Sequence, residues 1–433
     1  MQTEYAKRRA RIFAKLASGS LAILPASEEQ HRNGDVNHPF RQSSDFYYLT
    51  GFSEPGAILV LLKTQHENRF ILFCKPFCAE QAIWTGPSAG LEGAVAQFGA
   101  DEAYALASLD EKMPALLAAQ QRFFYSFGES MAWDRRMIKW SYPKNHNPKR
   151  DAKTFCDLKN LIAEERLIKS AEEINLLRQA ITVSAQAHCV LMQHCKGEMP
   201  EYALEALFAY ECAKKGCRSL AYPTIVGGGA NACTLHYVRN DQKLKNGNLV
   251  LVDAGAEYQG YAADITRTFP VCGTFSADQK ALYNIVLEAQ CAAIALVKPG
   301  TRWDLLQAII VKKLTEGLVA LGILQGTIDQ LIETKAYQAF YQHGSGHWLG
   351  LDVHDVGAYK QEEKSRLLEP GMVLTVEPGL YIPANCTTVD PRWRGIGIRI
   401  EDDVLVTKTG YEVLSAAAPK TIEAIEALME KGK

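Results

Sequence analysis

The chain has 433 residues, of which 47% are hydrophobic and 22% are charged, and its net charge is −2. This length exceeds what one ordinary hydrophobic core organises, so we expect two or three domains. The near-neutral charge gives no reason to expect nucleic acid or a membrane surface as a partner. The sequence has no apolar run long enough to span a bilayer.

The eleven cysteines form no CxxC pair, and they are scattered through apolar segments. This usage predicts reduced, mostly buried thiols in a cytoplasmic protein. The basic N-terminus is similar in composition to a transit peptide. However, it contains Glu4 and runs directly into a strand-like segment at 21–26, which favours a first helix of the fold.

Residues 1–166 are predicted to form an N-terminal α/β domain without a nucleotide-binding fingerprint. Helical periodicity alternates with segments of strand-forming residues at 21–26, 46–52, 57–63, 69–75 and in FFYSFG. The polar, proline-containing stretch SYPKNHNPKRDAK (141–153) predicts a loop or linker. Trp84 lies in IWTGPSAG, which reads as a turn-rich, exposed stretch.

Residues 167–433 are predicted to form a second domain of class α+β. Ser170 and Glu173 have the spacing of a capping box, which predicts the start of a helix. The apolar period predicts helices at 171–195, 199–215, 277–297 and 302–321, with a short helix at the C-terminus. CTLHYV (233–238) and several glycine- and proline-punctuated segments after residue 341 read as strands. Runs of helices and runs of strands are thus segregated, which is typical of α+β folds.

Two aspartates dominate the segment 248–271, which predicts a β-hairpin. If its turn centres between Tyr258 and Gln259, Asp253 faces Asp264 directly across the hairpin. Opposed like charges destabilise a sheet, so a shared proton or a hard cation such as Mn²⁺ or Mg²⁺ would have to compensate. The residues of this segment also permit a hairpin with two solvated acids.

Further polar residues interrupt the apolar strands of the same domain. Arg399 and Glu401 are two residues apart and are therefore expected on one face of a strand. The others are His343, His347, His354 and Glu377. The segment around His343 and His347 lacks the glutamate of an HExxH zinc site, and the sequence contains neither a phosphate-binding GK[ST] loop nor a GxSxG nucleophile elbow.

These strings together resemble the pita-bread metallopeptidase family, which includes methionine aminopeptidase, prolidase, aminopeptidase P and creatinase. The strings are DAG…GYAADITRTF, HGSGHWLGLDVHDVG, PGMVLTVEPGLY and GIGIRIEDD, with RQSSDFYYLTGF and IWTGPSAG in the N-terminal half. They are most similar to the aminopeptidase P group, and the similarity covers essentially the whole chain. It implies an N-terminal domain at 1–166 and a catalytic pita-bread domain at 167–433.

The resemblance also implies a site that binds two divalent metal ions. Its ligands would be Asp253, Asp264, His347, Glu377 and Glu401, with Asp264 and Glu401 bridging the ions. Carboxylate-rich ligand sets favour Mn²⁺, with Co²⁺ and Zn²⁺ as alternatives. A hydroxide held between the ions would attack the scissile carbonyl, and Glu377 would carry the proton to the leaving proline nitrogen.

The resemblance assigns the other polar residues to substrate handling. His236 and His354 would contact substrate and stabilise the oxyanion, and His343 would shape the proline pocket. Arg399 would lie near the leaving side and Tyr381 beside the metal cluster. Trp84 would line a leaving-group channel contributed by the N-terminal domain, in a homodimer or homotetramer.

The implied activity is that of an Xaa-Pro aminopeptidase, which cuts the bond between an N-terminal residue and a following proline. Prolidase, which cuts Xaa-Pro dipeptides, remains an alternative because Arg399 could hold a free carboxylate. A non-catalytic pita-bread protein that serves as a binding module is a further alternative. Such members lose metal ligands, whereas all five ligand positions are filled here.

Overall fold

The computed structural model describes residues 2–142 and 153–432, which divide into two compact units, Met1–Arg166 and Leu167–Lys433. Each unit has its own cluster of buried apolar side chains. The predicted linker at 141–153 lies almost entirely outside the described residues.

A mixed sheet flanked by helices forms the N-terminal unit, as the alternating pattern predicted. Its strands lie in the order β6-β5-β4-β1-β7-β8, with β1, β4 and β5 antiparallel and the flanking pairs parallel. The strands of this sheet are β1 (Ser20–Pro25), β4 (Ile58–Lys63), β5 (Asn68–Cys74), β6 (Glu102–Ala105), β7 (Arg122–Phe124) and β8 (Thr154–Cys156). The short strands β2 (His31–Asn33) and β3 (Val36–Asn37) pair with each other separately. The helices are α1 (Gln2–Lys15), α2 (Ser44–Thr50), α3 (Ala79–Thr85), α4 (Gly90–Ala96), α5 (Leu109–Ala118), α6 (Met131–Ser141) and α7 (Leu158–Leu167).

The strand predicted at 46–52 is wrong, because residues 46–50 belong to helix α2 and Gly51 ends that helix. Asp45 lies in the first turn of α2, where a carboxylate is favourable, and Gly51 ends the helix in the left-handed conformation with φ of 66°. Helix α2 is buried on several sides, so apolar residues occupy nearly every position of this short segment. The sequence therefore shows neither the helical nor the strand period, and periodicity alone could not distinguish the two.

Long helices cover the C-terminal unit, and the predicted helices are confirmed to within two residues at each end. Both halves of the predicted capping box of α8 form, since Ser170 and Glu173 exchange hydrogen bonds. The helices are α8 (Ala171–His194), α9 (Glu201–Lys214), α10 (Ala277–Leu296), α11 (Asp304–Ala320), α12 (Ile328–Glu333) and α13 (Ile422–Glu430). This succession of long helices and short strands confirms the α+β class.

The strands of the C-terminal unit form several small antiparallel ladders. β11 lies between β10 and β14, β20 lies between β17 and β21, β12 lies between β9 and β13, and β18 pairs with β19. The strands are β9 (Ser219–Leu220), β10 (Ile225–Gly228), β11 (Leu249–Asp253), β12 (Ala256–Tyr258), β13 (Tyr261–Ala262), β14 (Thr266–Pro270), β15 (Lys360–Gln361), β16 (Lys364–Ser365), β17 (Val373–Val376), β18 (Gly379–Ile382), β19 (Ile396–Arg399), β20 (Asp402–Val406) and β21 (Tyr411–Val413).

The strand predicted at 233–238 is wrong, because a 3₁₀ turn at Gly229–Cys233 leads instead into an irregular segment. The predicted hairpin forms, but its turn centres between Gln259 and Gly260, one residue later than predicted. Both residues have positive φ, which a tight hairpin turn requires. Asp253 consequently pairs with Thr266 rather than with Asp264.

The described helices include none that is both long and apolar enough to span a membrane. All eleven cysteines are free, as predicted, but buried thiols are a minority among them, namely Cys74, Cys212 and Cys217. The prediction of mostly buried cysteines is therefore wrong.

A buried ion pair fixes the loop that follows residue 350. Nζ of Lys169 lies 2.8 Å from Oδ2 of Asp355, and both side chains are 1% exposed. A Cβ atom at Gly350 would lie 2.1 Å from that carboxylate oxygen, so the glycine leaves room for the pair. Because Asp355 follows His354 directly, the pair also fixes the backbone that carries this histidine.

We expect Asp355→Asn to destabilise the C-terminal unit by about 3–5 kcal/mol, because the charge of Lys169 stays buried without its counterion. Urea unfolding followed by circular dichroism measures this change. The control is Glu198→Gln, which removes a partner of Lys243 from a pair whose side chains are 77% and 67% exposed. It should change the stability by about 0.5 kcal/mol or less. Equal losses in the two variants would contradict a special role for the buried pair.

Candidate metal centre

Asp253 and Asp264 approach each other despite the shifted register. Asp253 ends β11, and Asp264 lies diagonally across the hairpin, two residues before the Thr266 that opposes Asp253. The hydroxyl oxygen of Tyr222 lies 2.6 Å from Oδ1 of each carboxyl group. A hydroxyl carries one proton and can donate to one of the two groups at a time. The other group must therefore carry a proton or bind a cation.

His347 joins this pair from the segment between residues 341 and 354. Its Nδ1 donates to the carbonyl oxygen of Trp348 at 3.0 Å, which directs Nε2 towards the acids. Nε2 lies 3.2 Å from Oδ2 of Asp264 and 3.7 Å from Oε1 of Glu377. The backbone of this segment packs directly on β17, and a Cβ atom at Gly346 would lie 2.0 Å from the carbonyl oxygen of Thr375.

Glu377 and Glu401 each follow the end of a strand. Glu377 comes directly after β17, and its backbone N–H donates to the carbonyl oxygen of Ser345 at 2.9 Å. Glu401 lies between β19 and β20, with one side-chain oxygen 2.6 Å from Oγ1 of Thr266. Its carbonyl oxygen accepts a hydrogen bond from Arg267 at 2.6 Å. Both glutamates are thus held through their backbones as well as their side chains.

Arg399 lies beneath the acids and is 4% exposed. Its three guanidinium nitrogens donate to Oγ1 of Thr266 at 3.1 Å, to the hydroxyl of Tyr381 at 3.0 Å and to Oδ2 of Asp253 at 2.6 Å. Thr266 Oγ1 thus contacts both Arg399 and Glu401, which places these two residues on one face, as their spacing predicted. The contacts of Arg399 orient an acid of the cluster.

Burial makes these acids hard to ionise. It raises the pKa of Asp264, the pKa of Glu377 to about 7, and the pKa of Glu401 well above its usual range, and neighbouring carboxylates add to each increase. Burial lowers the pKa of His347, but the hydrogen bond that its ring donates to Asp264 and the surrounding negative charge outweigh burial and raise that pKa to about 9. The cluster therefore attracts positive charge strongly.

The donor atoms fit divalent cations. One ligand atom from each of Asp264, His347 and Glu401 lies within 4.8 Å of the other two. Asp253 joins them through the shared contact with Tyr222, and Glu377 lies beside His347. Carboxylate oxygens with one imidazole suit Mn²⁺, and cations would replace the protons that the crowded acids otherwise need. The predicted ligand residues are thus brought together.

The other predicted site residues lie at graded exposure. His343 is largely buried beside Tyr381, with Nε2 2.7 Å from its hydroxyl oxygen. The ring of His354 packs edge-on against that of His347, with centroids 4.2 Å apart, and His236 is exposed. Trp84 lies in the N-terminal unit on α3 with 84% exposure, which confirms the predicted exposure but places the residue in a helix.

The sequence interpretation missed two residues of the centre, Tyr222 and Thr266. Tyr222 precedes a proline in an irregular segment and contacts acids 31 and 42 residues further along the chain. Burial raises its pKa well above the usual range, so the hydroxyl keeps its proton. Thr266 lies on a recognisable strand, and a correct hairpin register would have placed it opposite Asp253.

Comparison with known proteins agrees with this geometry. Residues 175–408 match the description "Metallopeptidase family M24", and residues 5–125 match "Aminopeptidase P, N-terminal domain". The Xaa-Pro aminopeptidase of Escherichia coli K12 is 43% identical over 431 residues, which cover 98% of this chain and 97% of the relative. The chain belongs to metallopeptidase family M24.

Solved structures of M24 enzymes share the fold of this chain. The aminopeptidase PepP of Pseudomonas aeruginosa has a TM-score of 0.97 and 46% identity, with coverage of 100% of this chain and 98% of that one. A zinc-substituted E. coli aminopeptidase P in complex with product has a TM-score of 0.96 and 42% identity, with coverage of 100% and 99%. The predicted pita-bread domain and N-terminal domain are thereby confirmed, and the M24 chain is a metal-dependent hydrolase.

We expect Tyr222→Phe to weaken Mn²⁺ binding by roughly 10- to 100-fold, because the hydroxyl that orients two acids of the M24 centre is lost. Calorimetric titration of the metal-depleted protein measures this affinity. Tyr258→Phe on strand β12 is the matched control and should leave the affinity unchanged, since that side chain packs against the apolar core. Unchanged affinity in Tyr222→Phe would show that the hydroxyl does not orient the ligands.

Proposed function

We propose that this M24 enzyme is an Xaa-Pro aminopeptidase that cuts after the N-terminal residue of peptides with proline in the second position. The observation that carries this proposal is the convergence of acids and an imidazole on one buried point of an aminopeptidase P fold. Similarity at 43% identity over nearly the full length to an Xaa-Pro aminopeptidase supports the substrate class.

Asp264, His347 and Glu401, whose ligand atoms converge, would hold two divalent ions together with Asp253 and Glu377. When bound, the ions would provide hydroxide at neutral pH and polarise the scissile carbonyl group. We propose Mn²⁺ as the natural ion because oxygen ligands predominate, with Co²⁺ or Zn²⁺ as substitutes. The zinc-substituted E. coli relative is consistent with tolerance of this kind.

Glu377 has the position of a proton carrier. Hydrolysis adds water across the peptide bond, so the attacking water loses a proton and the leaving proline nitrogen gains one. The carboxylate of Glu377 would take up the first proton and deliver the second. Its side chain lies at the edge of the cluster between His347 and His343, at 3.7 and 3.6 Å from their ring nitrogens.

The outer histidines would act on the substrate. His354 and His236 carry imidazole donors on the exposed side of the centre and would stabilise the oxyanion that forms at the scissile carbonyl. His343 would form a wall of the proline pocket, and the buried Tyr381 would support it from behind through its contacts with His343 and Arg399. These roles are supported by the graded exposure of the rings, since groups that meet substrate must be reachable from solvent.

Prolidase activity gains no support from the contacts of Arg399, the residue that could hold a free proline carboxylate. Arg399 is 4% exposed, and each of its guanidinium nitrogens already donates one hydrogen bond, to Thr266, Tyr381 or Asp253. A purely binding role is also disfavoured, because a non-catalytic protein has no need to crowd ionisable acids in a buried cluster.

We further propose that the N-terminal domain at 1–166 supports a cytoplasmic homodimer or homotetramer and contributes to a substrate channel. Helix α3 has no buried residue and carries two exposed apolar side chains, Ile83 and Trp84. An exposed tryptophan is costly in water and is frequent at protein interfaces. Trp84 would then line the leaving-group side of a neighbouring site.

Chelation should abolish peptidase activity, and Mn²⁺ should restore it. Asp264→Asn should lose bound metal and nearly all turnover, because its carboxylate converges with His347 and Glu401 on the point where metal would be held. Metal analysis by mass spectrometry and cleavage of Ala-Pro-Ala measure the two effects. Asp304→Asn, which alters a surface pair with Arg302, is the control and should retain both. Full activity in a metal-free preparation would refute the mechanism.

Peptide length tests the choice of substrate. An Xaa-Pro-Yaa tripeptide and a pentapeptide should be cut with higher kcat/KM than the corresponding dipeptide. Trp84→Ala should reduce cleavage of the pentapeptide more than that of the dipeptide, because remote contacts support turnover. Met131→Ala, at an exposed apolar position on α6 of the same unit, is the control. Cleavage of the dipeptide alone would identify a prolidase instead.

A further inference from the structure

The carboxylate of Glu201 holds both ends of the segment that carries His236. This segment comprises residues 228–242. One oxygen, Oε1, accepts from the backbone N–H of Gly228 at 2.8 Å and from Nδ2 of Asn231 at 2.9 Å. The other, Oε2, accepts from the hydroxyl of Tyr237 at 2.9 Å and from the backbone N–H of Gln242 at 3.0 Å.

Glu201 is itself rigid and fully buried. It is the first residue of α9, it is 0% exposed, and its backbone N–H donates to the carbonyl oxygen of Gln242 at 2.9 Å. Charge-assisted hydrogen bonds are stronger than neutral ones, and here four of them end on one acid. A buried acid with this many donors from a single segment organises that segment.

The remaining contacts of the segment direct His236 away from the core. Leu235 and Tyr237 pack against the buried cluster that contains Tyr381, whereas His236 between them is exposed. Asn240, with φ of 48°, closes the segment by donating to Glu205 at 2.8 Å and accepting from the backbone N–H of Val226 at 3.0 Å. Beyond Gly228, which ends β10, the segment contains no strand, so side-chain anchors determine its shape.

We infer that Glu201 is a positioning residue for substrate binding, which acts by holding His236 where the peptide meets the metal centre. The inference rests on the proposed function. Glu201 lies at the start of α9, outside the proposed metal ligands, and would control the position of His236, which contacts the substrate. Glu201 touches neither the acids nor the substrate.

The first test is Glu201→Gln. Whichever way the new amide turns, its NH₂ group faces two of the former donors, so the backbone N–H of Gly228 or of Gln242 loses its acceptor. We expect kcat/KM for an Xaa-Pro-Yaa peptide to fall by roughly 10- to 100-fold with bound metal unchanged, since small misplacements distant from the chemistry slow a reaction by this order. Glu211→Gln, on the same helix in a surface pair with Lys214, is the control and should match the wild type.

A double-mutant cycle then separates positioning from a general structural role. If Glu201 acts through His236, Glu201→Gln should add nothing to the loss caused by His236→Ala. Losses that multiply in the double variant would overturn the inference. Should Glu201→Gln fail to fold, Tyr237→Phe replaces it in the cycle, because it removes one donor to the carboxylate and keeps the aromatic packing.

Hydrogen exchange provides a readout that needs no substrate. The amide of Gly228 or that of Gln242, whichever faces the new NH₂ group, should exchange faster in Glu201→Gln, and both should stay at wild-type rates in Glu211→Gln. Unchanged exchange in Glu201→Gln would refute the anchoring. A wild-type protein that cuts no Xaa-Pro peptide would overturn the proposed function, whereas multiplying losses in an active enzyme would overturn this inference alone.

Discussion

Repulsion among buried carboxyl groups is the constraint on which the C-terminal unit depends. Isolated charges are expensive to bury, and several acids within a few ångströms cannot all ionise without compensation. The fold supplies some compensation through Arg399, which contacts Asp253, and through His347, which contacts Asp264. The raised pKa values of Asp264 and Glu401 indicate that this compensation is incomplete, so bound cations would stabilise the folded protein as well as serve catalysis.

The adjacent acid Asp402 illustrates the contrast between structural and functional carboxylates. It is fully buried and accepts from Arg267, Lys420, Gln290 and Ser415. Arg267 and Lys420 lower its pKa enough to outweigh burial, so it stays ionised. For Glu401, one residue earlier, burial and the neighbouring acids outweigh the charge of Arg399, and its pKa is raised. Arg267 connects the two residues, because it binds the carboxylate of Asp402 and the carbonyl oxygen of Glu401.

The sequence alone was sufficient to predict those features that depend on the spacing of residues near one another in the chain. The long helices, the capping box at Ser170 and the common face of Arg399 and Glu401 all follow from spacing, and the structure confirms them. The register of the hairpin could not be obtained in this way, because shifting the turn by one residue exchanges Asp264 for Thr266 as the partner of Asp253. The bonds of Tyr222 and of Glu201 join residues that are distant in the chain, and no local pattern reports contacts of this kind.

The hydrogen bonds of His343 determine what this ring can do. Burial and the nearby charge of Arg399 lower its pKa to about 4, so the ring is neutral at neutral pH and carries one N–H. The carbonyl oxygen of Gly344 can only accept, so Nδ1 is the donor, and Nε2 must accept from the hydroxyl of Tyr381. That hydroxyl accepts in turn from Arg399. With both nitrogens engaged, His343 has no polar atom left for the substrate, and it can offer the ring face alone. In the proposed site this apolar surface would suit a proline ring, whereas the more exposed His236 and His354 would keep donors for the peptide.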